Sequence, residues 1–204
     1  MSAVYLTKLT LNPYAKEVRR TLENRYALHR IAYSLKGEGR EGRLLWRLEP
    51  PNGRAGAVIL VQTPYTPDLG YVLERGLGYA ETRRVELRLT PGSFAFRLEA
   101  NAVRRHEQRA RPLLDPEEQV QWLEERLAPM KLLEVVPVRA APLAIKKPGG
   151  DKYTLHAVLF EGRLEVGRDA VAEAQRMMLE GIGRGRSMGL GMLSLKRARS
   201  AGGT

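Results

Sequence analysis

The segment Val4–Leu11, VYLTKLTL, alternates apolar with polar residues, and Asn12-Pro13 follows directly. Alternation is the period of a half-buried strand. Asn-Pro favours a helix start, because proline at the first helical position needs no backbone donor. Between Pro13 and Leu35, the residues Leu22, Leu28, Ile31 and Leu35 recur at helical spacing, with Asn24-Arg25 as the point where the run can break. Arg43–Glu49 and Ala57–Gln62 read as strands around the turn-rich Pro50–Gly56. Pro64–Tyr79 is irregular, and Arg83–Leu89 alternates again. The order is strand, helix, strand, strand, irregular element, strand.

A similar order recurs after the turn dipeptide Pro91-Gly92. Ser93–Ala100 alternates and Asn101–Pro112 reads as a basic loop. Asp115-Pro116-Glu117-Glu118 opens a helix through Leu127: Asp is an N-cap, Pro fits the first turn, and the acids suit the positive dipole end. Leu132–Val138 and Thr154–Phe160 are strand-like and are joined by the basic segment Arg139–Lys152; Arg163–Val166 extends or restarts the second strand. Asp169–Glu180 is helical, a glycine-rich stretch follows, and Met192–Lys196 closes as a strand. The expected fold class is α+β: two tandem ferredoxin-like (RRM-like, βαββαβ) domains, residues 1–92 and 93–204. RNA-recognition modules use the same unit.

Charge narrows the function. Lys and Arg number 34 against 23 Asp and Glu, for a net charge of +11. Cut after Ser93, the halves carry +6 and +5, so the charge belongs to folded parts on both sides. Such a balance points to a polyanionic partner. The chain has no cysteine, which excludes disulfides, thiolate zinc sites, iron–sulfur clusters and cysteine nucleophiles. Its three histidines, His29, His106 and His156, are too few for a rich imidazole metal site, so no metal and no small-molecule cofactor is expected. No apolar run reaches the ~20 residues of a membrane span, and no signal-peptide layout opens the chain. A soluble, cytoplasmic protein with no membrane partner is expected.

Three constellations bear on chemistry. Gly181–Gly191, GIGRGRSMGLG, holds five glycines in eleven residues. It lies between a helix and a strand, the reverse of a dinucleotide fingerprint, and is not a P-loop. What remains is a loop whose amides at Gly183, Gly185 and Ser187 can approach a phosphate closely, helped by Arg184 and Arg186, or else a plain tight connection. In Tyr26-Ala-Leu-His29 the three-residue spacing places a phenol and an imidazole on one helical face. A histidine titrates near neutrality and can give or take a proton; it can equally be an ordinary surface histidine. Arg30 and Lys36 are nearby cations able to offset phosphate charge, or solvated helix charges. The third is basic: Arg104 and Arg105 with His106 in one segment, and Arg139, Lys146, Lys147 and Lys152 around Gly149-Gly150 in another. As a hairpin the latter can enter a nucleic-acid groove. His156 alternates with apolar neighbours and reads as structural.

These residues together resemble the CasE family, the CRISPR-associated endoribonuclease of the type I-E Cascade complex. YLTKLTLN matches its opening strand, and Tyr26-x-x-His29 its active-site pair. FRLEAN (Phe96–Asn101), Gln119-Val-Gln-Trp-Leu and Leu159-Phe-Glu-Gly-Arg-Leu-Glu-Val match later segments, and GIGRGRSMGLGMLSL (Gly181–Leu195) matches its C-terminal signature. The chain departs twice. Ala102 stands where the family commonly has proline after Ala-Asn, and Ser34 where some members carry a lysine.

The resemblance implies two ferredoxin-like domains and cleavage of the CRISPR precursor transcript at the base of each repeat hairpin, without metal. The upstream 2′-hydroxyl would attack the adjacent phosphate, leaving a 2′,3′-cyclic phosphate and a 5′-hydroxyl. His29 would be the general acid or base, Tyr26 would orient the reacting groups, and Arg30 or Lys36 would supply the cation. The partners implied are the repeat hairpin RNA, as precursor and mature guide, and other Cascade subunits. A non-catalytic RNA-binding subunit or assembly factor of the same fold explains the charge equally well, but leaves Tyr26 and His29 without a task.

Overall fold

The computed structural model describes residues 2–22, 24–50, 56–107, 109–150 and 152–198. The chain forms two compact units. The first comprises Met1–Arg88, Leu143–Leu155 and Gly185–Leu190; the second comprises Leu89–Pro142, His156–Arg184 and Gly191–Thr204.

The first unit holds β1 (Ser2–Leu11), α1 (Lys16–Thr21), α2 (Arg25–Ser34), β2 (Leu45–Leu48), β3 (Val58–Thr63), α3 (Gly70–Glu74) and β4 (Gly78–Leu87). Its sheet runs β2-β3-β1-β4, the ferredoxin-like order. β1 is central and antiparallel to β3, Tyr5 opposite Thr63, and to β4, Thr7 opposite Thr82. The alternation of β1 places Thr7, Leu9 and Leu11 in the interior, and the Thr7 and Thr82 hydroxyls bond across the strands at 3.0 Å. Leu9 and Leu11 pack with Val18, Leu28, Ile31 and Leu35 from the helices and with Trp46, Ile59 and Val61 from the sheet. The helical run does break before Arg25. The side chain of Asn24 caps α2, accepting from the Tyr26 amide at 3.0 Å. Pro13 does not begin α1: Asn12 Oδ1 accepts from Tyr14 N, and this local turn delays the helix to Lys16. The irregular stretch holds α3, and the last strand begins five residues earlier than its alternation suggested.

The topology recurs with β5 (Gly92–Asn101), α4 (Pro116–Leu127), β8 (Lys131–Lys146), β9 (Lys152–Val166), α5 (Val171–Glu180) and β10 (Ser194–Arg197), in sheet order β10-β5-β9-β8; all of these but Leu143–Leu155 belong to the second unit. Asp115 caps α4 as expected, accepting from Glu117 N at 2.8 Å and Glu118 N at 3.1 Å. Its core joins Phe94, Phe96 and Leu98 to Trp122, Leu123, Phe160 and Met177.

Two expectations change here. Asn101–Pro112 is a short hairpin, not a loop: β6 (Val103–His106) pairs with β7 (Arg109–Pro112). Most of Arg139–Lys152 is also strand, because β8 continues to Lys146 with Ile145 fully buried. The strand therefore runs eight residues past Val138, through Pro142. β8 is an edge strand, where a missing backbone donor is tolerated. Only residues 147–151 connect it to β9.

Candidate active site and nucleic-acid interface

The glycine-rich segment is built to present carbonyls. Gly185 (φ +83°) and Gly189 (φ +78°) are left-handed and bracket a single 3₁₀ turn, Arg186–Met188. The end of such a turn leaves its carbonyls without internal donors. Side chains of α2 and β2 supply them. Trp46 Nε1 donates to the Ser187 carbonyl at 3.0 Å, and Arg25 Nε donates to the Met188 carbonyl at 2.9 Å. A guanidinium nitrogen of Arg25 reaches the Gly189 carbonyl at 3.3 Å. The Arg25 guanidinium also lies 5.1 Å from the Trp46 ring centroid. Gly189 sits against the face of Trp46, where an added Cβ would lie 2.8 Å from ring carbons. The amides of Met188, Gly189, Leu190 and Gly191 are taken up inside the protein. They are therefore not offered to a phosphate.

His29 joins the same carbonyl row. Its Nδ1 donates to the Ser187 carbonyl at 2.6 Å. A carbonyl only accepts, so Nδ1 carries the proton and Nε2 of the neutral ring keeps a free lone pair. The ring is partly buried, and this desolvation, the largest influence, pushes its pKa below the ordinary 6.5. The Ser187 carbonyl pulls the other way, and the Lys147 ammonium adds to the depression. Tyr26 lies on the same face of α2, its ring centroid 5.7 Å from that of His29. Tyr33, one turn further along, packs closer at 4.2 Å. Burial raises the Tyr33 phenol above its usual range despite Arg43.

The family profile described as CRISPR associated protein matches residues 4–197. The chain belongs to this family. Within the CRISPR-associated proteins it is 39% identical to the CRISPR-associated endoribonuclease Cse3 of Thermus thermophilus, over 94% of this chain and 99% of that one. A structure of Thermus thermophilus Cse3 bound to an RNA representing a pre-cleavage complex matches with a TM-score of 0.84 and 37% identity, covering 95% of this chain and 98% of that one. The CRISPR-associated protein Cas6e of Escherichia coli matches with a TM-score of 0.72 and 26% identity, covering 95% and 100%. The resemblance read from the residues and the ferredoxin-like expectation both stand.

In this CRISPR-associated chain the other expected residues lie in several separate places. Arg104, Arg105, Gly183 and Arg184 converge around one cavity of about 390 Å³ in the second unit, lined also by Asn101, Trp122 and Arg126. Arg104 is held by Glu125 at 2.6 Å, and the Arg126 guanidinium lies 5.8 Å from the Trp122 ring centroid. Lys146, Lys147 and Lys152 are exposed at the end of the β8–β9 hairpin. Arg139 lies in β8, and its side chain, like that of His106, is outside the described residues. Arg30 is not brought to His29: it lines a separate hollow with Arg20, Ala27, Tyr71 and Arg75. Lys36 lies just past the C-cap Leu35, two helical turns or about 10 Å along the axis from His29. Arg186 and Ser187 belong to the 3₁₀ turn, where it is the carbonyl of Ser187 that is used. His156 bonds through its backbone amide to Asn101 Oδ1 at 3.0 Å.

Sequence reasoning missed Arg25, Trp46 and Tyr33. Tyr33 was accessible, since a four-residue spacing from His29 puts both on one face. Trp46 and Arg25 gave no local signal, because their partners lie more than 140 residues away in the chain. Among the described residues no three His, Asp or Glu side chains group as metal ligands. No helix among them is long and apolar enough to cross a membrane.

Proposed function

We propose that this protein cleaves CRISPR precursor RNA at the base of the repeat hairpin through 2′-hydroxyl attack, with His29 as the proton-transfer group. The observation that carries the reading is the bond from His29 Nδ1 to the Ser187 carbonyl, which fixes one tautomer and turns Nε2 into the free basic nitrogen. The depressed pKa keeps that nitrogen unprotonated at neutral pH. In the first step Nε2 takes the proton of the 2′-hydroxyl. The O2′–P bond forms and the P–O5′ bond breaks. The departing O5′ takes a proton from water, the imidazolium returns its proton to the hydroxide so formed, and the products are a 2′,3′-cyclic phosphate and a 5′-hydroxyl. Tyr26, on the same helix face, orients the reacting groups. The chain supplies this proton transfer from its own side chain.

Binding would divide between two basic regions. The arginines of the second unit's cavity track phosphates, and Arg139, Lys146 and Lys152 of the hairpin address the RNA stem. An A-form major groove is narrow, but the end of a short stem is accessible. The Thermus thermophilus relative is an endoribonuclease with an RNA-bound structure, which supports RNA as the substrate class. Retention of the product hairpin in the cytoplasm, as a guide RNA within Cascade, follows the same reading.

The test is one gel in EDTA, with wild type and His29→Ala on a repeat hairpin and on the same RNA with 2′-deoxyribose at the cut. The reading requires a single cut by wild type alone, absent on the deoxy RNA. Binding without any cut on the organism's own repeat would establish the non-catalytic alternative instead.

A further inference from the structure

The cleavage chemistry leaves one role unfilled. A pentacoordinate phosphorane carries more negative charge than the diester, and nearby cations are what stabilise it. Where some family members carry a lysine on the helix, this chain has Ser34, whose hydroxyl donates back to the Ile31 carbonyl at 2.8 Å. Arg30 faces another hollow, and Lys36 lies two turns away.

A different lysine is held beside the site. Lys147-Pro148-Gly149-Gly150 is a closed turn: Gly150 N donates to the Lys147 carbonyl at 3.2 Å, and Gly149 adopts φ +63°. Proline followed by a left-handed glycine is the pattern that fixes such a turn. The strand leading into it is anchored twice. Ile145 is fully buried, and Asn24 Nδ2 donates to the Lys146 carbonyl at 3.2 Å. Asn24 is the cap of α2, the helix that carries Tyr26 and His29. The turn is thus tied to the start of the catalytic helix through the residue next to Lys147. The Lys147 side chain is exposed, its Nζ 6.0 Å from the Tyr153 ring centroid, and it has no acidic partner among the described residues.

We propose that Lys147, delivered by the β8–β9 turn and pinned to the cap of α2, is the cation that stabilises the scissile phosphate during cleavage. This rests on the cleavage reading above. It assigns Lys147 to the reacting phosphate rather than to the stem alone. Its field already reaches His29, whose imidazolium it disfavours. The other groups facing His29 are Tyr26 and Tyr33 on its own helix and the Ser187 carbonyl from the glycine-rich turn.

The test is single-turnover cleavage at saturating protein across pH 5–9 in EDTA, with Kd measured alongside. Wild type, Lys147→Ala and Lys147→Arg are compared on the full repeat hairpin. Lys147→Ala is expected to cut about 10²-fold slower when fully bound. Its rising limb should move to higher pH, because a nearby positive charge has gone. Lys147→Arg should recover most of the rate. A Lys147→Ala rate equal to wild type at saturation overturns the proposal and leaves Lys147 binding the stem alone. Failure of wild type to cut its own repeat would sink the cleavage reading, and this proposal with it.

Discussion

The imidazole of His29 and the carbonyl of Ser187, 158 residues apart in the chain, are joined by a 2.6 Å hydrogen bond. The same oxygen accepts from Trp46. One backbone atom therefore links the helix, the sheet and the glycine-rich turn, and it decides which nitrogen of His29 is available.

The first consequence is a pH dependence. The His29 pKa lies below 6.5, chiefly through desolvation. A base is active when unprotonated, so the bound-state cleavage rate should rise with pH, with its midpoint under 6.5, and be flat by neutrality. A single-turnover pH–rate profile checks this. A rate that falls as pH rises through that range would assign His29 the acid's role instead.

Removing the imidazole separates chemistry from binding. His29→Ala should lose roughly 10²–10⁴-fold in rate, the usual share of general acid–base catalysis. Hairpin affinity should change little, because the ring holds no charge at neutral pH. Gel-shift titration beside the cleavage assay distinguishes the two effects. Equal loss of affinity would mean that His29 only supports the fold of the RNA site.

Gly189 and Gly149 provide a matched pair for stability. At Gly189 a Cβ meets the Trp46 ring at 2.8 Å and φ is +78°; at Gly149 φ is +63° and nothing lies within 4 Å. Gly149→Ala should cost only the left-handed penalty, about 1 kcal/mol. Gly189→Ala adds overpacking against a buried ring, about 1–3 kcal/mol more. Urea denaturation should rank them in that order, and similar midpoints would show that the turn moves freely off Trp46.

The arginine-lined cavity predicts a salt signature. If Arg105 and Arg184 each neutralise a phosphate, replacing both with alanine should flatten the slope of log K against log salt. The change should be roughly 0.7–0.9 for each phosphate left without its arginine. Affinity measured across a range of salt concentrations gives the slope directly. An unchanged slope would place the RNA elsewhere on the second unit.

Much of the architecture was legible because it is encoded locally. Alternation marked β1 and β5, Asp115 with Pro116 announced α4, and Asn24-Arg25 marked the helix break. The errors came where local signals conflict with tertiary placement. Arg139–Lys152 reads as a basic connection, yet β8 runs on to Lys146 and its edge position accommodates Pro142. Asn101–Pro112 looks like loop because its charge hides a pairing that only the register Val103 opposite Pro112 reveals.

The same division holds for the site. By itself the sequence determined that Tyr26 and His29 share a helix face, since three-residue spacing on a helix leaves no alternative. It also placed five glycines where a tight, left-handed turn can form. Tertiary structure alone decided the rest. A tautomer is set by whichever acceptor reaches Nδ1, and that acceptor comes from residue 187. Arg30, one residue from His29, points into another hollow, while the turn that carries Lys147 is tied to the helix cap through the Lys146 carbonyl, from a distant part of the chain. Charge acts through space, so the cation nearest in sequence need not be the one nearest the reaction.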